Sequence, residues 1–402
     1  MNLQRLLRPE HRYVVLGLCC MCFSLYHSTR QVILPALPII KEQMNLTYSE
    51  TGWVVAAYNL GYSGTLFFGG YFADLFKRKP LILGGVVALA FTLFLTTLSR
   101  NFIELTGSRI LSGFAFGLYF APAIGLITAY FSKEERGAAV SFHTGVGAGS
   151  GRFIAPLLSG VTLVAFGWQF LFYVSAALAI VVAFLFWRIV REPASGQKGS
   201  LLPIGTVVRQ VVLNRFLIIL GICNGTITAA VTVTAGFLPL WLVNNLGLDV
   251  SFGAYSVALL NGVGIPMVTF WGWLSDRVGR KPVIIGVVFM SATTLFFLNR
   301  LTTQFEVVVG IVVAGLFTGS AFPIIITYVV DVMPTVYRSA SIGTVNMFTT
   351  FTSSMFAVSA GYFSDAFGIA MVFPFLAAIS VVGALIVFGI RPVESTPARA
   401  PE

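Results

Sequence analysis

The chain has 402 residues, 57% of them hydrophobic and 10% charged. Soluble domains carry about 25% charged residues, so this composition excludes an ordinary soluble fold and places the chain in a bilayer. The net charge of +10 would point to nucleic acid in a soluble protein. Here the basic residues gather in short turns between apolar runs, and no nucleic-acid partner is expected.

In chain order, residues 1–12 are polar and basic, and the apolar segment from Tyr13 is long enough to span. No small-residue cleavage site follows, so it reads as a first helix and not as a cleaved leader. Twelve spans are predicted: 14–36, 51–73, 80–98, 104–130, 137–164 and 168–188, then 216–243, 251–274, 282–299, 305–333, 339–364 and 369–390. Each is long enough to cross a hydrocarbon core of about 30 Å. The fold class expected is an all-α membrane protein of twelve transmembrane helices in two pseudo-symmetric six-helix halves. The divisions are 1–188 for the N-terminal half, 189–215 for a cytoplasmic linker, and 216–402 for the C-terminal half with a short tail. Part of the linker is mildly amphipathic and is expected to lie on the membrane surface.

Charge placement sets the orientation. Of the 25 Lys and Arg, Lys41, Arg100 and Arg300 fall in outer loops and Arg30, Arg109 and Arg152 inside helices. The other nineteen fall on the side of the termini, so both termini are expected to be cytoplasmic. Cys19, Cys20, Cys22 and Cys223 lie within predicted helices and read as apolar packing residues. The glycine-rich run GVGAGSG in helix 5 follows no strand, so it is read as close helix packing and not as a dinucleotide loop. No catalytic triad, metal spacing or cofactor motif is visible, and neither enzyme activity nor a cofactor is expected.

The chain repeats itself. GYFADLFKRK begins at Gly70 and GWLSDRVGRK at Gly272, an offset of 202 residues. At the same offset Asn59 matches Asn261, Gly113 matches Gly315, Gly117 matches Gly319 and Arg136 matches Arg338, while Pro122 and Pro323 fall one residue out of step. A repeat at half the chain length means two copies of one unit, not a solenoid. The repeated Gly, Asp and basic cluster resembles the loop between helices 2 and 3, and again 8 and 9, of the major facilitator superfamily. The first copy departs from that pattern at Leu75-Phe76-Lys77. The resemblance implies two parallel halves that rock about a central site.

Charges inside a membrane cost at least about 2.5 kcal/mol each, so the intramembrane arginines mark the candidate site. Arg30 lies roughly 25 Å along helix 1 from Tyr13, and Arg152 roughly 22 Å along helix 5 from Gly137, at 1.5 Å per residue. Two guanidinium groups at matched depth without a nearby acid form an anion pocket, because the planar fork suits carboxylate or phosphate. Tyr26, His27, Tyr58, Asn59, Tyr62 and Tyr119 add polar groups from the first half. Thr232, Asn261 and Asn346 add uncharged ones from the second, with Asn224, Thr228 and Tyr328 beside them. Arg109 is read either as a structural pairing group or as a substrate contact.

The run YHSTRQVILPALPII looks like helix 1 of the organophosphate and anion:cation branches of the superfamily, where an Arg matching Arg30 contacts the substrate's acidic group. The run from Arg109 through helix 5 is similar to theirs as well, so Arg109 matches their helix-4 Arg. Their symporters carry acids where this chain has Thr29 and Phe116, so their proton route does not transfer. The coupling ion is left as a proton or sodium.

Asp74, Arg78, Glu135, Arg136, Asp276, Arg277, Arg280, Asp331 and Arg338 are expected to act as gating residues at the cytoplasmic helix ends, with Asp331 assigned to Arg338. The function expected is secondary active transport of a small organic anion by a monomer in a prokaryotic inner membrane, with the lipid bilayer as its other partner. The alternatives are a proton-coupled drug or metabolite exporter, because helices 4 and 5 also resemble those of drug antiporters, imperfectly, with Ala155-Pro156 in place of their Gly-Pro, and a non-transporting receptor.

Overall fold

In the computed structural model the described residues are 9–191, 205, 208–317, 319, 321–333 and 337–389. They form twelve helical rods among the described residues. The first six are α1 (Pro9–Gln31), α2 (Tyr48–Leu75), α3 (Arg78–Leu98), α4 (Phe102–Tyr130), α5 (Arg136–Phe166) and α6 (Trp168–Ile189). The second six are α7 (Arg215–Asn244), α8 (Val250–Val278), α9 (Arg280–Leu298), α10 (Gln304–Phe317 and Ala321–Val332), α11 (Arg338–Phe367) and α12 (Val372–Gly389). Eight rods are each long and apolar enough to cross a membrane. Large apolar side chains such as Phe91, Val164, Phe184, Phe289, Phe297 and Leu385 stand exposed on the outside, where lipid takes the place of a protein core. The chain is a multi-pass integral membrane protein. The expected linker 189–215 lies mostly outside the described residues.

Helix starts follow local capping chemistry. The Asn101 side chain accepts from the Glu104 amide at 2.9 Å, and Glu104 accepts in turn from the Arg100 amide at 2.8 Å. Thr47 and Glu50 form the same reciprocal box at α2, and Asp249 accepts from the Ser251 amide at 2.6 Å to start α8.

The repeat is visible in the packing. A side chain on Gly113 of α4 would strike the Tyr58 carbonyl of α2, and one on Gly315 of α10 would approach the Leu260 carbonyl of α8. Tyr58 and Leu260 are themselves 202 apart, so both halves bring the second and fourth rods together through the same glycine. The two basic turns differ, however. Gly279 has a φ of +107°, whereas Lys77, its counterpart at the offset, is extended with a φ of −61°. The second turn therefore needs glycine and the first does not, which accounts for the departure in the first copy. Gly279→Ala is expected to cost about 1–3 kcal/mol of backbone strain and to lower the melting temperature, while Lys77→Ala leaves it unchanged; a thermal-unfolding scan of both checks this.

Three expected spans differ from the structure. Helix 1, expected over 14–36, ends at Gln31; residues 32–36 form a turn around Pro35, and a two-turn helix, Leu37–Gln43, follows with Pro38 in its first turn. α10 is interrupted between Phe317 and Ala321, with Gly319 at a φ of +83°. The one-residue slip between Pro122 and Pro323 falls beside this break. α5 contains a π-helical turn at His143–Gly147.

Candidate functional site

The halves meet along two seams, α2 with α11 and α5 with α8. At the end remote from the chain termini the first seam is tight. Asp365 of α11 accepts from the Tyr48 and Ser49 amides at 2.9 and 2.8 Å, satisfying N–H groups that the first turn of α2 leaves open. A side chain on Gly361 would meet the Tyr48 backbone, and one on Gly52 the Ala357 backbone. At the opposite end Arg12 pairs with Glu135 at 2.6 Å, and Arg280 with Asp276 at 2.6 Å and with Asp331 at 3.3 Å, each within one half. Among the described residues, contacts between the halves thus lie at the remote end and midway along the seams.

Arg30 stands where they join. Its Nη2 donates to Thr232 Oγ1 of α7 at 3.2 Å. These two positions are separated by the repeat offset, so the pseudo-two-fold axis passes between them and Arg30 lies beside that axis. It also occupies the last turn of α1, where unpaired carbonyls favour a cation by about 0.3–1 kcal/mol. That is less than the smallest burial cost of about 2.5 kcal/mol, so Arg30 keeps an uncompensated charge.

Arg152 reaches the same space from α5. Gly147 and Gly151, four residues apart, let α5 lie directly on α1: side chains there would strike Cys20, Phe23, Ser24 and His27. Next to Gly151, Arg152 keeps an open side chain between the α1 and α8 contacts, and its carbonyl accepts from Asn261 Nδ2 at 3.3 Å. Arg30 and Arg152 lie close enough for each to act on the other's charge. No described carboxylate pairs with Arg30, Arg109 or Arg152.

Arg109 has a different setting. It is 1% exposed, its Nη1 donates to the Thr29 carbonyl at 2.9 Å, and its guanidinium lies 5.0 Å from the Tyr58 ring centre. It closes the open carbonyl end of α1.

The remaining first-half candidates divide in two. Tyr58 donates to the Tyr26 carbonyl at 3.0 Å, Tyr26 to the Ala115 carbonyl at 3.1 Å and Tyr119 to the Cys19 carbonyl at 2.6 Å, so these hydroxyls tie helices together. Tyr119 also lies 3.0 Å from His143 Nε2; its own proton is engaged, so the histidine donates there. By contrast, Tyr62 meets the Asn346 side chain of α11 across the interface. Asn59 and His27 are buried, with Oδ1 and Nδ1 lacking partners. Among the second-half groups Asn224 is taken up by Thr349 at 3.1 Å, while the Thr228 and Tyr328 hydroxyls have no partner.

Of the expected gating residues, Asp276, Arg280 and Asp331 form one cluster, Arg277 stacks 4.2 Å from the Trp273 ring centre, and Arg78 donates to the Gly125 carbonyl at 2.7 Å. Glu135 pairs with Arg12, and Arg136 donates to the Phe131 carbonyl at 3.1 Å. Asp331 therefore meets Arg280; the side chains of Arg338 and Asp74 lie outside the described residues. Sequence reasoning passed over Arg12, the stacking of Phe23 on Phe120 and His143, and Asp365. Only Asp365 carried a signal, as an acid near the end of an apolar run.

Twelve helical rods and two seams make this a two-half membrane protein. The sequence pattern of the Major Facilitator Superfamily matches residues 19–269 and 222–402, and the chain belongs to that family. It is 25% identical to the riboflavin transporter RibZ of Clostridioides difficile over 48% of this chain and 42% of that protein. It is 23% identical to the hexuronate transporter of Escherichia coli K12 over 96% of this chain and 95% of that one, and 25% identical to the cis,cis-muconate transport protein of Acinetobacter baylyi over 77% of each. Among solved structures, a bacterial homologue of the human lysosomal transporter Spinster superposes with a TM-score of 0.83 at 16% identity, covering 95% of this chain and 97% of that one.

Proposed function

We propose that the chain moves a small organic anion, bearing carboxylate or phosphate, across the membrane by alternating access. The observation that carries this reading is the Arg30–Arg152 pair, central, partly open and without a described carboxylate. Relatives that carry hexuronate and cis,cis-muconate, both carboxylates, agree with it. The anion enters between the halves and neutralises the two guanidinium groups. Tyr62, Thr232, Asn261 and Asn346 give it neutral hydrogen-bonding partners, with His27 and Asn59 behind them. The halves, 1–188 and 216–402 joined by 189–215, then rock about the axis: the Asp365 seam parts and the basic ends close.

The membrane is the prokaryotic inner membrane, with both termini cytoplasmic and the protein acting as a monomer. Because the four native cysteines are buried, single cysteines report orientation cleanly. Asn45→Cys is expected to react with an impermeant thiol reagent from outside, and Lys133→Cys and Gln197→Cys only after the membrane is opened. Outside labelling at 133 or 197 reverses the orientation.

Transport is tested by counterflow in proteoliposomes preloaded with galacturonate, cis,cis-muconate or glycerol 3-phosphate. Exchange of labelled anion above empty-liposome background is expected for at least one of them. Exchange of a lipophilic cation with none of the anions transfers the chain to the exporter reading.

A further inference from the structure

Proton coupling needs a group that changes charge near neutral pH, and no described carboxylate pairs with Arg30 or Arg152. Among the described residues the central region holds two titratable imidazoles, His27 and His143. His143 lies in the π-helical turn and is tied to Tyr119, one turn toward the basic end. His27 is placed otherwise. It lies three residues before Arg30, on the same face of α1, is 5% exposed, and has an Nδ1 with no hydrogen-bond partner.

Its surroundings are specified on every side. On α1 itself Phe23 stands edge-on at 4.6 Å, and on α4 Phe116 does so at 5.6 Å. On α5 Gly151 lies against its Cβ. The charged and titratable groups that act on it are Arg152 and His143 from α5 and Arg30 from its own helix. The nearby phenols of Tyr26 and Tyr119 are engaged by carbonyls, and Arg109 of α4 is turned to the Thr29 carbonyl. No described carboxylate faces the imidazole.

A proton on His27 beside two unpaired guanidinium groups would be a third positive charge in an enclosed space. An anion on the arginine pair cancels that field, so the anion and the proton favour each other's binding, and by linkage each tightens the other by the same factor. We propose that His27 is the coupling-proton site: its imidazole takes up a proton when an anion occupies Arg30 and Arg152, which makes the chain a proton–anion symporter. This rests on the anion reading above.

The test uses the full chain in detergent at weak buffering, with a pH indicator, on addition of galacturonate, cis,cis-muconate or glycerol 3-phosphate. Wild type is expected to take up protons as the anion binds and to bind more tightly as the pH falls, by up to about tenfold per unit. His27→Gln keeps a polar group of similar size; it is expected to abolish proton uptake on anion binding and the pH dependence of affinity, and with them accumulation driven by a proton gradient. His143→Gln is expected to keep proton uptake. Anion binding to wild type without proton uptake overturns the proposal even where His27→Gln fails to fold. Loss of uptake in His143→Gln but not His27→Gln overturns it as well. If none of the three anions binds wild type, the anion reading falls, and this proposal with it.

Discussion

Arg30→Ala and Arg152→Ala are each expected to weaken anion binding by roughly one to two decades. Each removes a charge-assisted contact of about 1.5–3 kcal/mol, and every 1.4 kcal/mol is about tenfold. Arg30→Lys keeps the charge but loses the fork, so its affinity falls between wild type and Arg30→Ala. Neither alanine variant is expected to lose stability without substrate, because each removes a charge that no described carboxylate compensates. Arg109→Ala behaves in the opposite way. Its guanidinium closes the end of α1 and fills a buried site against Tyr58, so its loss lowers the melting temperature while a properly folded fraction binds normally. Isothermal titration with a thermal scan of the same samples separates the two behaviours. Binding that survives at full strength in both Arg30→Ala and Arg152→Ala removes the charge pair from the site.

Gly361→Leu is expected to abolish transport without abolishing binding. Gly361 and Gly52 let α11 and α2 touch backbone to backbone at the remote end, which brings Asp365 onto the free amides of Tyr48 and Ser49. A leucine side chain there has no volume to enter, so the seam stays open and the cycle stops in the state that faces away from the termini. Asp365→Asn is milder: it weakens two charge-assisted hydrogen bonds and shifts the same equilibrium partway. Distances between spin labels at the two ends of the α2–α11 seam read the shift directly. A Gly361→Leu protein with wild-type seam distances and normal transport contradicts this account of the gate.

Much of this architecture is legible in the sequence, and the parts that are not share a physical cause. Twelve apolar runs, basic turns and a 202-residue offset are local or periodic signals, and the structure repeats them down to Gly113 on Tyr58 and Gly315 on Leu260. The end of α1 is harder to read, because residues 32–36 are as apolar as the helix before them. Pro35 and Pro38 mark a break only once the turn between them is seen. That break decides the role of two arginines. With helix 1 ending at Gln31, Arg30 falls in a last turn, and the Thr29 carbonyl is free to hold Arg109. Contacts between the halves are illegible for another reason: Asp365 and Tyr48 are 317 residues apart in the chain, and nothing local names the partner. The meeting of Arg30 with Thr232 was available in principle, since the offset pairs those positions, yet only the fold shows that the axis runs between them.

The most direct measurement compares two ligands that differ in charge alone: galacturonate and galactose, titrated into wild type and into the Arg30→Ala, Arg152→Ala double variant. Wild type is expected to bind the acid at least tenfold more tightly than the neutral sugar, and the double variant to lose that preference. Equal binding of the two in wild type, or a preference for the acid that persists without both arginines, would contradict a site built around their charge.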